Sequence, residues 1–208
     1  GGLVGNSPSG YTVNIRNSYV DTQGGLGVKG TYRVGGMVGS NYYTLSIVSD
    51  GSNTGVYGAA LAPYSTANVT GTTAVSATAY VGGLVGYAST YVLGTVSIDS
   101  ARVTASTVTG VGNYVGGLIG GLGSAYTTTI NNAYVNGTAI SGTGASGYVA
   151  GFVGYNYSNL NITNSYVNSP GITGTGNYVA GMVGGTSSAT ISNSYVTSPI
   201  SSTTTTAN

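Results

Sequence analysis

A glycine-rich phrase of the form Val-Gly-Gly-Leu-Val-Gly returns along this chain about every 34 residues, a period that is typical of repeat architectures. Its six copies begin at Gly1, Val34, Val81, Val115, Val149 and Val179. In such architectures each unit buries its apolar face only by stacking on its neighbours. We therefore expect residues 1–208 to form one domain built from stacked repeats.

Two more short patterns recur inside the repeats. One reads Ile-x-Asn-Ser-Tyr-Val and lies at Ile15–Val20, Ile130–Val135, Ile162–Val167 and Ile191–Val196, with a variant at Ile98–Val103. The other is a Val/Ile-x-Gly step that begins at Val28, Val69, Val108, Ile140 and Ile172, with a degenerate copy at Ile200. Apolar and polar residues alternate in these patterns, and β-branched and aromatic residues dominate, which is typical of strands.

Helices are excluded by the 38 glycines spread along the chain, because a glycine in a helix interior costs about 1 kcal/mol. Three short strands joined by Gly, Asn and Ser turns fit within one repeat of about 30–34 residues. The sequence therefore predicts an all-β protein, a parallel β-solenoid (β-helix) of about six coils with three short strands in each. With coils about 4.8 Å apart, the rod would be about 30 Å long.

Two regions depart from the repeat. About 13 residues are inserted in the second repeat, within about 40–67, where the segment from Asp50 is rich in loop-forming residues and Pro63 limits any strand. The tail 201–208 is predicted to be a linker, a glycosylated stalk or a strand donated to a neighbour. A solenoid also has open ends, so either the array continues in a longer chain or the last coil of one copy abuts the first coil of the next.

Charged side chains are nearly absent, since the chain has four Lys and Arg, three Asp and Glu, and neither His nor Cys. A soluble surface usually carries about 25–35% charged residues, so something else must keep this one in water, and hydroxyls, amides and glycans are available for that. Four Asn-x-Ser/Thr sequons are candidate N-glycosylation sites, at Asn68, Asn136, Asn156 and Asn161. The net charge of +1 argues against nucleic acid as a partner, and the apolar runs are too short for a membrane span.

Residues that usually carry catalysis are equally scarce. Asp21, Asp50 and Asp99 come one to a repeat, whereas polysaccharide-cleaving solenoids need clustered acids. The sequence therefore predicts a protein that is not an enzyme, with no catalytic residue, no cofactor and no metal site.

Tyrosine recurs at one position of the Ile-x-Asn-Ser-Tyr pattern, at Tyr19, Tyr134, Tyr166 and Tyr195, where we expect an outward stripe. An exposed aromatic row is suited to binding a protein or a sugar. The asparagines two positions earlier could stack as a hydrogen-bonded ladder, at Asn17, Asn132, Asn164 and Asn193. The simpler interpretation, for both sets of residues, is a row of strand-compatible surface residues. A second set of tyrosines immediately precedes successive glycine phrases, at Tyr80, Tyr114, Tyr148 and Tyr178.

The glycine phrase followed by Ile-x-Asn-Ser-Tyr resembles the GLUG motif, which occurs in tandem in large secreted bacterial and archaeal surface proteins. These include adhesin-like proteins and the stalk regions of IgA-cleaving proteases. The resemblance covers essentially the whole chain and is weakest over 40–67. It implies an extracellular, cell-surface β-solenoid with a structural or adhesive role, and it brings no catalytic residues.

Three functional hypotheses follow. The first is a structural subunit of an extracellular filament, stalk or sheath that assembles head to tail with copies of itself, because the absence of charge past Val103 favours association. The second is an adhesin that binds glycan or protein ligands through the tyrosine stripe or the inserted loop. The third, ice binding, requires a threonine ladder at the repeat period, whereas Thr127–Thr129 and Thr203–Thr206 are only local clusters.

Overall fold

A computed structural model describes residues 1–21, 28–50, 55–57, 68–71, 80–89, 94–105, 107–124, 127–145, 147–176 and 178–203. Within these residues the chain forms 27 strands and no helix, and its strand ladders are parallel. The strands make a β-solenoid of about five turns. The prediction of an all-β, parallel β-solenoid is therefore confirmed.

The strands are, in chain order, β1 (Val4–Ser7), β2 (Val13–Arg16), β3 (Tyr19–Asp21), β4 (Val28–Gly30), β5 (Arg33–Gly35), β6 (Val38–Asn41), β7 (Leu45–Val48), β8 (Gly55–Tyr57), β9 (Asn68–Gly71), β10 (Tyr80–Gly82), β11 (Val85–Ala88), β12 (Thr95–Asp99), β13 (Arg102–Thr104), β14 (Thr107–Gly110), β15 (Tyr114–Gly116), β16 (Ile119–Leu122), β17 (Thr127–Asn131), β18 (Tyr134–Asn136), β19 (Ala139–Gly142), β20 (Tyr148–Ala150), β21 (Val153–Thr163), β22 (Tyr166–Asn168), β23 (Ile172–Gly174), β24 (Tyr178–Ala180), β25 (Val183–Ser192), β26 (Tyr195–Val196) and β27 (Ile200–Ser202).

Each coil passes through four sheets. Sheet 1 holds β1, β2, β6, β7, β11, β12, β16, β17, β21 and β25; sheet 2 holds β3, β8, β13, β18, β22 and β26; sheet 3 holds β4, β9, β14, β19, β23 and β27; and sheet 4 holds β5, β10, β15, β20 and β24. The described residues thus make five complete coils and a sixth that passes through sheets 1 to 3.

A coil contains more strands than the three predicted, because the glycine phrase itself turns a corner. In the third coil, Tyr114–Gly116 lies in sheet 4, and the chain then turns at Gly117 and Leu118 before Ile119–Leu122 enters sheet 1. A side chain at Gly117 would overlap the carbonyl oxygen of Gly151 in the next coil. The corner therefore needs glycine because two backbones approach closely there.

The coils stay in register although their lengths differ. Val38 of the second coil pairs with Val4 and with Val85, and β7 pairs with both β2 and β12. Between β6 and β7 the second coil is shorter than the third, with seven positions from Val38 to Leu45 and eleven from Val85 to Val96. Relative to the third coil, the second coil has twelve extra residues between Val48 and Val69, where the insertion was predicted, and five more between Val69 and Val81. Much of this stretch lies outside the described residues.

The core is made of single-residue columns that run along the solenoid. Ile98, Ile130 and Ile162 form one such column, and each is at most 1% exposed. Parallel columns are formed by Val103, Val135 and Val167 in sheet 2 and by Val108, Ile140 and Ile172 in sheet 3. Because each aliphatic side chain that is buried contributes about 1.5–3 kcal/mol, stacking of successive coils is the main source of stability.

The asparagine of Ile-x-Asn-Ser-Tyr turns the corner between sheets 1 and 2. Asn132 and Asn164 have φ of 50° and 51°, in the left-handed region that asparagine tolerates better than most residues. The serine that follows fixes the same corner, since the Ser165 hydroxyl donates to the Thr163 carbonyl (2.7 Å) and accepts from the Ala133 amide (3.1 Å). These asparagines are exposed, as surface residues would be, but they lie at a corner between strands and not within a strand.

Candidate functional site: tyrosine ladders and open coil faces

Three of the four tyrosines of the predicted stripe stack on one another in sheet 2. The ring centroids of Tyr134 and Tyr166 are 5.1 Å apart, and those of Tyr166 and Tyr195 are 5.3 Å apart, with interplanar angles of 4° and 7°. We call Tyr134, Tyr166 and Tyr195 the sheet 2 stack. Parallel strands place equivalent side chains at this spacing, which lets neighbouring rings pack face to face.

Tyr19 occupies the same column but is not in contact with that stack. It pairs with Gly55, Gly55 pairs with Arg102, and Arg102 pairs with Tyr134. Arg102 Nη1 donates a hydrogen bond of 2.9 Å to the Tyr134 hydroxyl, so a cation ends the stack on this side. Tyr19 and Tyr195 lie at opposite ends of the column, 55% and 58% exposed.

A second ladder of tyrosines lies in sheet 4, at positions to which the sequence analysis assigned no role. Centroid distances along Tyr80, Tyr114, Tyr148 and Tyr178 are 4.8, 5.7 and 4.4 Å, and interplanar angles are 12°, 14° and 6°. We call these four residues the sheet 4 ladder. The signal that points to it is their constant place before the glycine phrase, one repeat apart.

Glycines in sheet 1 make room for this ladder. Tyr87, Gly121, Tyr155 and Gly185 follow one another in a single column, so tyrosine and glycine alternate from coil to coil. A side chain at Gly121 would overlap the ring of Tyr80, and one at Gly185 would lie 2.6 Å from the ring of Tyr148. The rings of Tyr87 and Tyr155 pack against the ladder from the side, with Tyr155 edge-on to Tyr148 at 4.7 Å.

Arg33 takes the place of tyrosine at the first-coil end of the sheet 4 ladder, where it pairs with Tyr80. Its guanidinium carbon lies 4.6 Å from the ring centroid of Tyr87 and 5.8 Å from that of Tyr80. It also lies within cation–π range of Tyr32 and Tyr42, at 4.8 and 5.2 Å, and Nη1 donates to the Tyr42 hydroxyl. This cation therefore packs among four rings of its own chain.

The packed phenols resist ionisation. Burial among neighbouring rings raises the pKa of Tyr155 to about 12, and its hydrogen bond with Tyr157 adds to the effect. Burial, followed by repulsion between adjacent phenolates, also raises the pKa of Tyr80, of Tyr148 and of Tyr166. Tyr80, Tyr148, Tyr155 and Tyr166 therefore stay neutral well above neutral pH.

One of the four candidate glycosylation sites is buried. Asn156 is fully inaccessible, and its Nδ2 donates to the carbonyl oxygens of Ser158 (2.8 Å) and Ser188 (2.9 Å). Its Oδ1 accepts from the Ser158 amide at 2.9 Å. The folded coil has no space for a glycan there, so the expectation for Asn156 is wrong for the folded chain.

The other sequons lie in the strands. Asn136 and Asn161 are half-buried, and Asn136 Oδ1 accepts a hydrogen bond of 2.8 Å from Asn168 Nδ2. Asn68 begins β9, and its side chain lies outside the described part of the structure. Glycosylation of Asn68, Asn136 and Asn161 stays a prediction.

The acidic residues bind neighbouring amides. Asp50 Oδ2 accepts from Asn17 Nδ2, and Asp99 Oδ1 accepts from Asn131 Nδ2, each at 2.8 Å. In the part of the chain that the structure describes, no three His, Cys, Asp or Glu residues come together as a metal site would require. Nor do those residues include a helix long and apolar enough to cross a bilayer.

A threonine ladder of the kind that ice binding requires is not formed by the first threonine cluster. Thr129 pairs with Asn161, and Asn161 pairs with Thr190, so hydroxyl and amide alternate in this column. Of the second cluster, Thr204–206 lie outside the described residues.

The end coils expose the side chains that inner coils bury. Ile191 and Ile200 in the sixth coil are 45% and 47% exposed, whereas Ile162 and Ile172, their equivalents one coil earlier, are fully buried. In the first coil, Leu3 is 48% exposed, and several core valines are only partly buried. Among the described residues, the first and sixth coils therefore present apolar surfaces, and their strands in sheets 1 to 3 pair on one side only.

Comparison of the chain with protein-family models, with curated proteins and with solved structures finds no match. The resemblance to tandem GLUG repeats stays a prediction.

Proposed function

We propose that this chain is an extracellular structural protein, a subunit of a cell-surface filament, stalk or sheath that assembles end to end through the open faces of its solenoid. The observation that carries the proposal is the exposure of Ile191 and Ile200 in columns that are fully buried one coil earlier. A further coil stacked on this face would cover both side chains and pair with β25, β26 and β27. The first coil of another copy has the cross-section to do this.

The side surfaces support the same proposal. The whole chain carries only four cations and three anions, so little charge repulsion opposes association of copies. The sheet 4 ladder also fits a structural role, because the two inner rings, Tyr114 and Tyr148, are each stacked between two neighbouring rings. Such ladders strengthen contacts between coils, by about 0.5–1.5 kcal/mol for each aromatic pair.

A charge on the open face tests the proposal. We expect electron microscopy of the purified chain to show fibres whose number rises with concentration. Ile191→Asp should abolish them, because burying an unpaired carboxylate in the junction costs several kcal/mol. Thr190→Asp is the matched control. Thr190 is exposed in the same strand but belongs to the outward column of Thr129 and Asn161. The Thr190→Asp variant should therefore still form fibres.

Circular dichroism of both variants verifies that the coils still fold. A wild-type chain that stays a uniform single particle at every concentration contradicts the proposal, as does a folded Ile191→Asp variant that assembles normally.

The alternative function is an adhesin, and one observation favours it. Tyr157 and Tyr178 are 52% and 48% exposed on the surface that the sheet 4 ladder forms with Tyr155. A sugar ring stacks on the face of an aromatic ring, and these two rings offer the most exposed area there. Binding to a glycan array that is lost in Tyr157→Ala or Tyr178→Ala would favour this function over the structural one.

A further inference from the structure

We propose that the open faces of two copies join in one specific register, in which β26 of one copy lies on β3 of the next and Tyr195 stacks on Tyr19. This inference rests on the proposed function, and it names the residues that form the junction. The partner is a second copy of this chain, placed one coil height beyond the sixth coil. Within the chain, each coil is related to the next by the same step.

Three columns of side chains determine the register, two of them aliphatic and the third formed by tyrosines. In sheet 1 the isoleucine column begins at Ile15 and ends at Ile191. In sheet 3 the aliphatic column begins at Val28 and ends at Ile200. A seventh coil supplied by another copy would place Ile15 on Ile191 and Val28 on Ile200, each apolar side chain meeting another. A shift of one residue in either strand would instead set outward polar side chains against this core.

The corner serines define the same register through hydrogen bonds. The Ala133 amide donates to Ser165 Oγ, and the Ser165 amide donates to Ser194 Oγ, each at 3.1 Å. The amide of one coil is thus capped by the serine hydroxyl of the next coil. Ser18 occupies this position in the first coil, and its hydroxyl donates to the Arg16 carbonyl (2.8 Å) as Ser194 Oγ does to the Ser192 carbonyl (2.8 Å). Ser18 Oγ is therefore oriented to accept from the Ser194 amide of the preceding copy.

The tyrosine column explains why Tyr19 stands apart from the sheet 2 stack. One face of the Tyr195 ring lies on Tyr166, while the residue is 58% exposed on the open side. Tyr19 is 55% exposed at the opposite end of the same column. In the junction Tyr19 becomes the fourth ring of the stack, since parallel neighbours lie about 4.8 Å apart. Sheet 4 has no sixth strand among the described residues, so sheets 1 to 3 determine the register.

Disulfide trapping tests this register, and the chain has no cysteine of its own to interfere. Equivalent Cα atoms of parallel neighbours are about 4.8 Å apart, within the range of about 4.4–6.8 Å that disulfides require. Tyr19→Cys/Tyr195→Cys should give a ladder of covalent multimers under mild copper-catalysed oxidation, resolved on a non-reducing gel. Within one copy the two positions are five coil steps apart along the column, so an internal bond cannot form.

The matched control is Tyr11→Cys/Tyr195→Cys. Tyr11 is a first-coil tyrosine that is also well exposed, at 67%, but it lies outside the column, so multimers should be at least tenfold fewer. Val28→Cys/Ile200→Cys is a second in-register pair, used if the tyrosine pair fails to fold. Multimers that form equally well from the control pair overturn the register.

Failure of the register and failure of assembly give different results. If electron microscopy shows fibres but neither in-register pair forms cross-links, the register is wrong and the proposed function still stands. If neither fibres nor cross-links form, both the register and the proposed function are overturned.

Discussion

At Asn132 the backbone adopts φ of 50°, a conformation that costs most residues about 1–2 kcal/mol. The side chain also donates a hydrogen bond of 3.1 Å from Nδ2 to Ser100 Oγ in the preceding coil. Asn132→Ala should therefore lower the free energy of unfolding by about 1–2 kcal/mol, measured by urea denaturation. Asn132→Gly should lose less, because glycine adopts this conformation freely. Equal losses from both variants would show that the backbone conformation is not what selects asparagine.

Glycines of the repeated phrase differ sharply in the space around them. A Cβ at Gly117 would overlap the Gly151 carbonyl oxygen and approach Ile140, whereas a Cβ at Gly5 in β1 meets nothing within 4 Å. Gly117→Ala should lower the free energy of unfolding by about 2 kcal/mol or more, because overlap with a backbone atom forces the coils apart. Gly5→Ala should change it by about 0.5 kcal/mol or less. Similar melting temperatures for the two variants would contradict the close approach of coils at this corner.

The sheet 4 ladder and the tyrosines that flank it predict a loss of stability in alkali. Burial raises the pKa of Tyr155 to about 12, and the pKa of Tyr80, of Tyr114 and of Tyr148 is also raised. In an unfolded chain tyrosine ionises near pH 10. Because folding favours the neutral phenols, their contribution is complete below about pH 10 and is lost as pH rises through the folded values.

We therefore expect the free energy of unfolding to fall steeply between about pH 10 and pH 12. Urea denaturation across this range, with tyrosinate absorbance recorded in parallel, measures both changes. Tyrosines that all titrate near pH 10 without loss of stability would mean that the rings are not packed as described.

The period and alternation of the sequence were sufficient to predict a parallel solenoid, because they report which residues face inward and how often they recur. The glycine pairs also predict a corner with a close approach of backbones at Gly117, but they did not predict that separate strands lie on both sides of it, so that a coil has more than three strands. Nor did the period and alternation reveal that Asn156 lies in the same core column as Leu122, where its amide binds backbone groups. A buried asparagine and an exposed sequon look alike in sequence.

The sequence predicted the candidate surfaces only in part, because the repeat period reports columns within one sheet and not contacts between sheets. The repeat period places Tyr134, Tyr166 and Tyr195 in one column, and the variant at Ile98–Val103 places Arg102 there too. The sequence does not show that Gly55 lies between Arg102 and Tyr19. The sheet 4 ladder has the same period, yet its packing depends on Gly121 and Gly185, which belong to a different sheet. Contacts between sheets depend on corner geometry, which spacing along the chain does not encode.

On the scale of the whole molecule, assembly should be insensitive to salt. The junction is formed by apolar columns, serine hydrogen bonds and stacked rings, and the chain carries only seven charged side chains. Salt screens interactions between exposed charges and leaves such contacts intact. The concentration at which fibres form, followed by sedimentation, should therefore stay within about twofold from low to high salt. Fibres that dissolve in high salt would show that ion pairs hold the copies together.

The most direct test of end-to-end stacking is X-ray diffraction from aligned fibres of this chain. Each copy contributes six coils at about 4.8 Å, so the account predicts a meridional reflection near 4.8 Å and an axial repeat near 29 Å. Fibres with strands parallel to the axis, or with an axial repeat unrelated to six coil heights, would contradict the account.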